Sequence, residues 1–276
     1  MKKLALTLIF FILWAVESMS QELLENALAE IEINGLDQVS MDNRDQIFIS
    51  SRQGDLYLYD SKGNRLNYFS PPRQGRINQL EAAWTVNIFT FSEDLQEYRV
   101  LDRFLNPIAE HNFFDASINL AKAATFGNNN IVWVWDESDL SLKRMDYLRN
   151  LVLDAQPLPL LTDSKNLNIL EMREFKNRLF VLAPEEGVFV FDNQGNLIRQ
   201  INLKQVPNLC LYKDYLLWIE NNHLNTYCLS TKAIFKLFEV KDSKASKVVV
   251  GNTKLLLVEG DKVKIYNMPT LLKNLK

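Results

Sequence analysis

Two histidines, His111 and His223, and two cysteines, Cys210 and Cys228, are the only side chains of those types in the 276 residues. A catalytic triad, a proton relay or a soft-metal centre would have to be built on them. The histidines stand 112 positions apart with no partner near either in sequence, and no paired metal-ligand spacing surrounds the cysteines. The chain has no glycine-rich phosphate loop, no nucleophile elbow and no run of alternating carboxylates ending in glutamate that would make a calcium loop. The sequence therefore nominates no catalytic residue, no cofactor-binding residue and no metal ligand, and the expectation is a non-enzyme without a cofactor. A formal charge of −3 likewise gives no general attraction to nucleic acid or anionic lipid.

The polar residues that do recur are aspartate and asparagine. Asp60 and Asn64, Asp102 and Asn106, Asp146 and Asn150, Asp192 and Asn196 repeat one spacing, with the aspartates 42, 44 and 46 residues apart. Each aspartate ends a short apolar run, as in Leu58-Tyr59-Asp60 and Val190-Phe191-Asp192. An aspartate carboxylate accepts from backbone N–H groups just beyond it, and Asn or Gly tolerates the left-handed conformation that a tight hairpin needs. Recurrence in every unit is a folding requirement, so these aspartates read as turn residues. Two degenerate copies, at Ser230 and Asn267, continue the series at intervals of 38 and 37.

Six units imply six sets of positioning elements. Ahead of each hairpin runs a strand that is nearly all apolar: Ile47–Ile49, Ile88–Phe91, Ile131–Trp135, Leu179–Leu182, Leu216–Ile219 and Leu255–Val258. Continuous apolar runs bounded by turn residues suit strands buried on both faces. This placement makes Trp133, Trp135 and Trp218 core residues rather than a sugar-stacking platform. Four strands in some forty residues is the period of a propeller blade. The expected fold class is all-β: a six-bladed β-propeller of four-stranded blades, with blades over about 38–70, 77–113, 118–155, 168–202, 206–240 and 245–268. The last unit runs out after its third strand, and the segment 28–34 has no partner of its own. The N-terminal strand should therefore complete blade six beside Lys262 to Tyr266, which leaves no open sheet edge.

The hairpins Tyr59-Asp60-Ser61-Lys62-Gly63-Asn64 and Phe191-Asp192-Asn193-Gln194-Gly195-Asn196 resemble those of six-bladed β-propellers of the broad NHL and TolB-like kind, common among exported bacterial proteins. The resemblance spans about residues 28–268. It implies architecture and leaves function open, because propellers host binding, scaffolding and enzymatic roles alike.

The N-terminus agrees with export. Met1-Lys2-Lys3 is basic, Leu4 to Val16 carries no charge, and Ser18-Met19-Ser20 offers small residues before a cut at Gln21. Residues 1–20 read as a cleaved signal peptide and 21–276 as one propeller domain. The apolar run is shorter than the roughly 20 residues of a membrane span, and no cysteine lies near the cut to carry a lipid. A soluble product without a lipid anchor is expected, periplasmic or else extracellular. In that oxidising setting two cysteines invite a disulfide, but they fall two strands apart in one blade, so free, buried thiols are expected.

Two surface features bear on function. On one face the hairpins between second and third strands carry Glu93, Asp94, Asp136, Glu137, Asp139, Glu185, Glu186, Glu220, Glu259 and Asp261 against Arg52 alone, whereas the opposite face is mildly basic. Such an asymmetric disc favours one docking orientation. The connection 154–168 is long and apolar, so Leu158, Leu160 and Leu161 either dock a partner or fold back to cover a blade groove. The resulting expectation is a protein-protein interaction module, fitting an accessory subunit of an outer-membrane secretion or assembly complex. The alternative is a small-ligand or carbohydrate-binding propeller, or a hydrolytic one, with its site at the central pore. Val39, Ile77, Leu120, Ile169, Leu209 and Val248 to Val250 suggest inner strands that are mostly apolar, which disfavours that alternative.

Overall fold

The computed structural model describes residue 24 and residues 26–82, 86–162, 167–240 and 244–275. The expected signal segment 1–20 lies outside these, as do Asp163, Lys165, Lys241 and Asp242 on two connections. The N-terminal strand β1 is Ala29–Glu32. Blade one holds β2 to β5 (Leu36–Met41, Ile47–Ser51, Leu56–Tyr59, Arg65–Phe69) and blade two β6 to β9 (Gln79–Glu81, Asn87–Ser92, Glu97–Asp102, Pro107–Asn112). Blade three holds β10 to β13 (Ala121–Phe126, Ile131–Asp136, Ser141–Asp146, Leu151–Pro157), and blade four β14 to β17 (Glu171–Phe175, Arg178–Ala183, Gly187–Asp192, Leu197–Ile201). Blade five holds β18 to β21 (Cys210–Tyr212, Tyr215–Glu220, His223–Cys228, Ile234–Glu239), and blade six β22 to β24 (Lys247–Val250, Lys254–Glu259, Lys262–Asn267). A short helix, α1 (Thr270–Lys273), follows. Each blade is one four-stranded antiparallel sheet, and the six form a ring: a six-bladed β-propeller, as expected.

The ring is held by six apolar layers, each between neighbouring blades. Phe48, Leu58, Ile88 and Leu101 join blades one and two, for example, and Trp135, Met172, Leu179 and Phe191 join three and four. The second strands contribute to the layers on both sides because both their faces are buried, which is why their sequences run unbroken in apolar residues. Trp133, Trp135 and Trp218 lie in these layers, at 5% exposure or less. Burying an aromatic or aliphatic side chain of this size is worth ~2 kcal/mol.

The recurrent hairpins close as turn chemistry requires. Asp60 Oδ1 accepts from the backbone N–H of Lys62 and Asn64, while Oδ2 accepts from Asn64 Nδ2 at 2.9 Å. Asp102 and Asp192 repeat all three bonds. The left-handed residue is the one before the asparagine, Gly63, Leu105 or Gly195. The asparagine itself braces the carboxylate. At the third hairpin Asn150 takes the left-handed conformation and its Oδ1 instead accepts from Tyr98 Oη.

Ring closure uses the predicted strand. β1 pairs antiparallel with β24, Ala29 opposite Ile265 and Glu32 opposite Lys262. A second clasp was not visible in the sequence: Asp45, in the first hairpin of blade one, accepts from Asn252 N–H at 2.6 Å and from the Thr253 N–H and hydroxyl in blade six. Gly251 makes this approach possible, because a Cβ there would lie 2.3 Å from Asp45 Oδ1.

Candidate functional site

The innermost strands β2, β6, β10, β14, β18 and β22 surround the central axis and form its lining. Their apolar residues Val39, Leu80, Met172, Leu211 and Val248 turn into the layers between blades, as strand alternation demands. Many intervening positions are polar, although Cys210 and Val249 occupy two of them in blades five and six. Gln79 Nε2 donates to Glu81 Oε1 at 2.7 Å and reaches from blade two to the Met172 carbonyl of blade four. Glu171 accepts from Arg173 at 3.0 Å and from Leu209 N–H at 2.8 Å, and Lys247 Nζ donates to Gln38 Oε1 at 2.9 Å. The expectation of mostly apolar inner strands is thus corrected for the funnel, whereas Val39, Leu209 and Val248 to Val250 do line a smaller void. The apolar residues that suggested it, Val39, Ile77, Ile169, Leu209 and Val248, are buried but belong to the sheet interfaces, and Leu120 lies just before its strand on the surface. The signal available in the sequence was the two-residue alternation Gln79-x-Glu81 and Glu171-x-Arg173, masked by the apolar residues between.

These residues shape a funnel of about 530 Å³ opening on the acidic face, with Asp37, Arg76, Glu93 and Lys122 on its wall and Glu171, Asn208 and Lys247 lower down. The wall charges are neutralised in pairs: Arg76 binds Asp37 in bidentate fashion at 2.7 and 2.9 Å, and Lys122 binds Glu93 at 2.6 Å. A separate void of about 40 Å³ is lined mostly by apolar residues, among them Val39, Met41, Leu209 and Val249, with Arg173 and Lys247 at its wall. Burial depresses the pKa of Lys247; Glu171 opposes the shift and Arg173 reinforces it. Burial raises the Glu81 carboxyl despite Arg173 and the hydrogen bonds from Gln79 and Thr125. The Cys210 thiol is pushed up to about 12 by burial, which removes it as a nucleophile near neutral pH.

The acidic hairpin tips do share the face around this funnel. Asp94, Asp139, Glu185 and Glu220 are exposed, and Glu93, Glu137, Glu186, Glu259 and Asp261 are partly so. Several are internally paired: Asp139 with Lys143, Glu259 with Lys264, and Glu220 as acceptor from Trp218 Nε1. Asp136 departs from the expected surface position. Its side chain is fully buried, accepting from Lys143 Nζ at 2.6 Å, from Ser138, and from the Asn119 and Leu120 N–H groups. On the opposite face Asp42 and Asp45 are buried in hairpin contacts, so that surface is more basic than its residue count suggested.

The described part of the 154–168 connection mostly folds back. Leu158 is buried against Trp135 and Leu142, Leu161 packs on the same layer, and Leu160 alone projects, 82% exposed. A 3₁₀ turn over Leu158–Leu160 produces this division. Cys210 and Cys228 are both free and buried. His111 sits on an outer strand against the Tyr98 ring, and His223 bonds the Asn221 carbonyl. Among the described residues no group of three or more His, Cys, Asp or Glu is arranged to hold a metal ion.

No protein-family model matches the chain, and no curated protein matches it. Its likeness is to solved structures. The chain is similar to BamB from Moraxella catarrhalis, with 10% identity and TM-score 0.50 over 89% of this chain and 98% of that one. It is also similar to a streptogramin B lyase, with 12% identity and TM-score 0.59 over 88% and 87%. A chain of the mitotic checkpoint complex matches at 11% identity and TM-score 0.55 over 85% and 77%. The shared feature is the propeller fold. At such identities these likenesses carry the fold and not the activity.

Proposed function

We propose that this chain is a non-catalytic protein-interaction module, exported to the periplasm and serving there as an accessory subunit of an outer-membrane secretion or assembly complex. The observation that carries the docking role is the arrangement of Asp94, Asp139, Glu185 and Glu220, four exposed carboxylates on four successive blades around one face. Charges so placed speed encounter and fix orientation with a basic partner. Export is supported by the basic, apolar and small-residue pattern of residues 1–20. No helix among the described residues is long and apolar enough to cross a membrane. The occurrence of this fold in BamB and in a chain of the mitotic checkpoint complex is in keeping with a place in a larger assembly.

The test is affinity capture of the tagged protein from detergent-solubilised envelopes of its host, at low and high salt, beside an Asp94→Lys/Glu185→Lys variant. The expected result is salt-sensitive recovery of one defined complex by the unmodified protein and its loss with the variant. Recovery of nothing above background, or equal recovery by both proteins, overturns the proposal.

A further inference from the structure

We infer that the face opposite the acidic tips docks on a membrane surface bearing anionic lipid, its hairpin tips inserting apolar side chains while their basic neighbours hold the headgroups. The turns between third and fourth strands all open on this face. At four of them a cation and an apolar side chain stand together: Lys62 and Arg65 with Leu66 in blade one, Arg103 with Phe104 in blade two, Arg149 with Leu148 in blade three, and Lys232 with Ile234 in blade five. Each of the four apolar side chains is more than half exposed, and the Arg103 guanidinium lies 4.9 Å over the Phe104 ring. The acids of the turns are engaged elsewhere, since Asp60, Asp102 and Asp146 accept from the backbone of their own hairpins. Among the described residues no carboxylate lies within ion-pair distance of Lys62, Arg65, Arg103 or Lys232, and Arg149, 75% exposed, makes only a 3.7 Å contact with Asp146. The tips are also held in place. Asn67 Nδ2 of blade one donates to the Phe104 carbonyl, and the Tyr98 hydroxyl of blade two donates to the Tyr147 carbonyl and Asn150 Oδ1.

Single exposed apolar residues are ordinary on a protein surface. An apolar tip beside a cation on four blades, all turned the same way, is the pairing that interfacial membrane elements use: the apolar group enters the acyl boundary and the cation stays with the headgroups. The chain's formal charge of −3 gives no overall attraction to anionic lipid, so the attraction is local to this face and is screened beyond about 8 Å at physiological salt. Within that distance each Lys or Arg is worth about fivefold in affinity for an anionic surface. The spacing favours lipid over a folded acidic partner. Polar turn residues such as Asn64 and Asn106 separate one tip from the next, so a protein would need a matching pocket for every tip, whereas the acyl boundary takes each one independently. The acidic tips of the other face turn away from such a surface, and the inference does not depend on the docking role assigned to them.

The chain from Gln21 onward, which keeps every strand of the ring, tests this by co-sedimentation with vesicles of equal parts phosphatidylglycerol and phosphatidylcholine, and with vesicles of phosphatidylcholine alone. Binding to the anionic vesicles is expected, weakened by salt and much reduced on the neutral ones. Lys62→Gln/Arg65→Gln, which removes two cations, and Phe104→Ser/Leu148→Ser, which removes two inserting side chains, should each lower the affinity at least about tenfold. All four positions lie on the surface, so the melting temperature of both variants should match that of the unmodified chain. Phe104→Trp gives a direct reading: relative to the unmodified chain, its added emission should shift to the blue on anionic vesicles and be quenched by lipids with brominated acyl chains. Absence of binding to either vesicle overturns the inference and leaves an acidic protein as the occupant of this face. Equal binding to both vesicles, undiminished binding by both double variants, or unchanged emission in Phe104→Trp likewise overturns it.

Discussion

Asp136→Ala is the substitution whose effect is most fully determined by the geometry. The carboxylate is completely buried and holds Lys143, itself only 8% exposed, at 2.6 Å. Removing one partner of a buried pair costs about 3–5 kcal/mol, largely because the other charge is left behind. Lys143 keeps Asp139 at 2.8 Å, but that carboxylate is half exposed and screened, so the lower end of the range applies. Asn119 and Leu120 lie at the surface, where water replaces the lost acceptor, while Ser138 loses a 2.7 Å hydroxyl bond worth about 1 kcal/mol. The expected loss is therefore about 3–4 kcal/mol, read from urea unfolding monitored by the fluorescence of the neighbouring Trp133 and Trp135. Adding Lys143→Met should restore a large part of it by removing the stranded cation, whereas Lys143→Met alone should be costly. A loss below about 1 kcal/mol for Asp136→Ala, or no recovery in the double variant, refutes the reasoning.

The hairpin carboxylates predict acid sensitivity. For Asp60, Asp102 and Asp192, partial burial raises the pKa, but the hydrogen bonds from the paired asparagine and the turn backbone outweigh it and leave all three below the ordinary aspartate range. Their stabilisation is present above the unfolded pKa and is lost as pH falls through the depressed folded values, so Asp→Ala at all three should flatten the decline of melting temperature with acid. Gly251→Ala should break the ring clasp and also press on the core, because the new Cβ would sit 2.3 Å from Asp45 Oδ1 and 2.7 Å from the buried Met41 side chain; it should therefore unfold at a lower temperature than Asp45→Ala, which loses the clasp alone, and equal or higher melting would refute this. Ile31→Ala, in a 4%-exposed position on the closing strand, should cost about 2–5 kcal/mol and raise protease sensitivity at the junction of blades one and six. Ellman's reagent should find two thiols in the unfolded, unreduced protein, and in the native state Cys228 should react before Cys210, whose pKa is pushed to about 12.

The candidate site divides along the same physical line as the fold. The acidic tips were legible because hairpin position follows from the repeat, and a charge on a tip belongs to one face whatever surrounds it. Which tips are available was not legible: Asp136 and Glu185 look alike in sequence, yet Lys143 projects from the next strand to capture the first and leaves the second exposed. The funnel was missed for a related reason. Gln38, Glu171, Asn208 and Lys247 come from four blades, and only closure of the ring brings them to one cavity.

By itself the sequence determined the strands, their grouping into six blades and the closing role of residues 29–32, because turn chemistry and strand alternation act over a few residues and recur at a fixed period. Tertiary structure alone decided which charges are spent in buried pairs and which stay exposed on the hairpin tips. Those outcomes depend on distances between side chains that the fold brings together, such as Gln38 and Lys247 at 2.9 Å, and no local pattern encodes them.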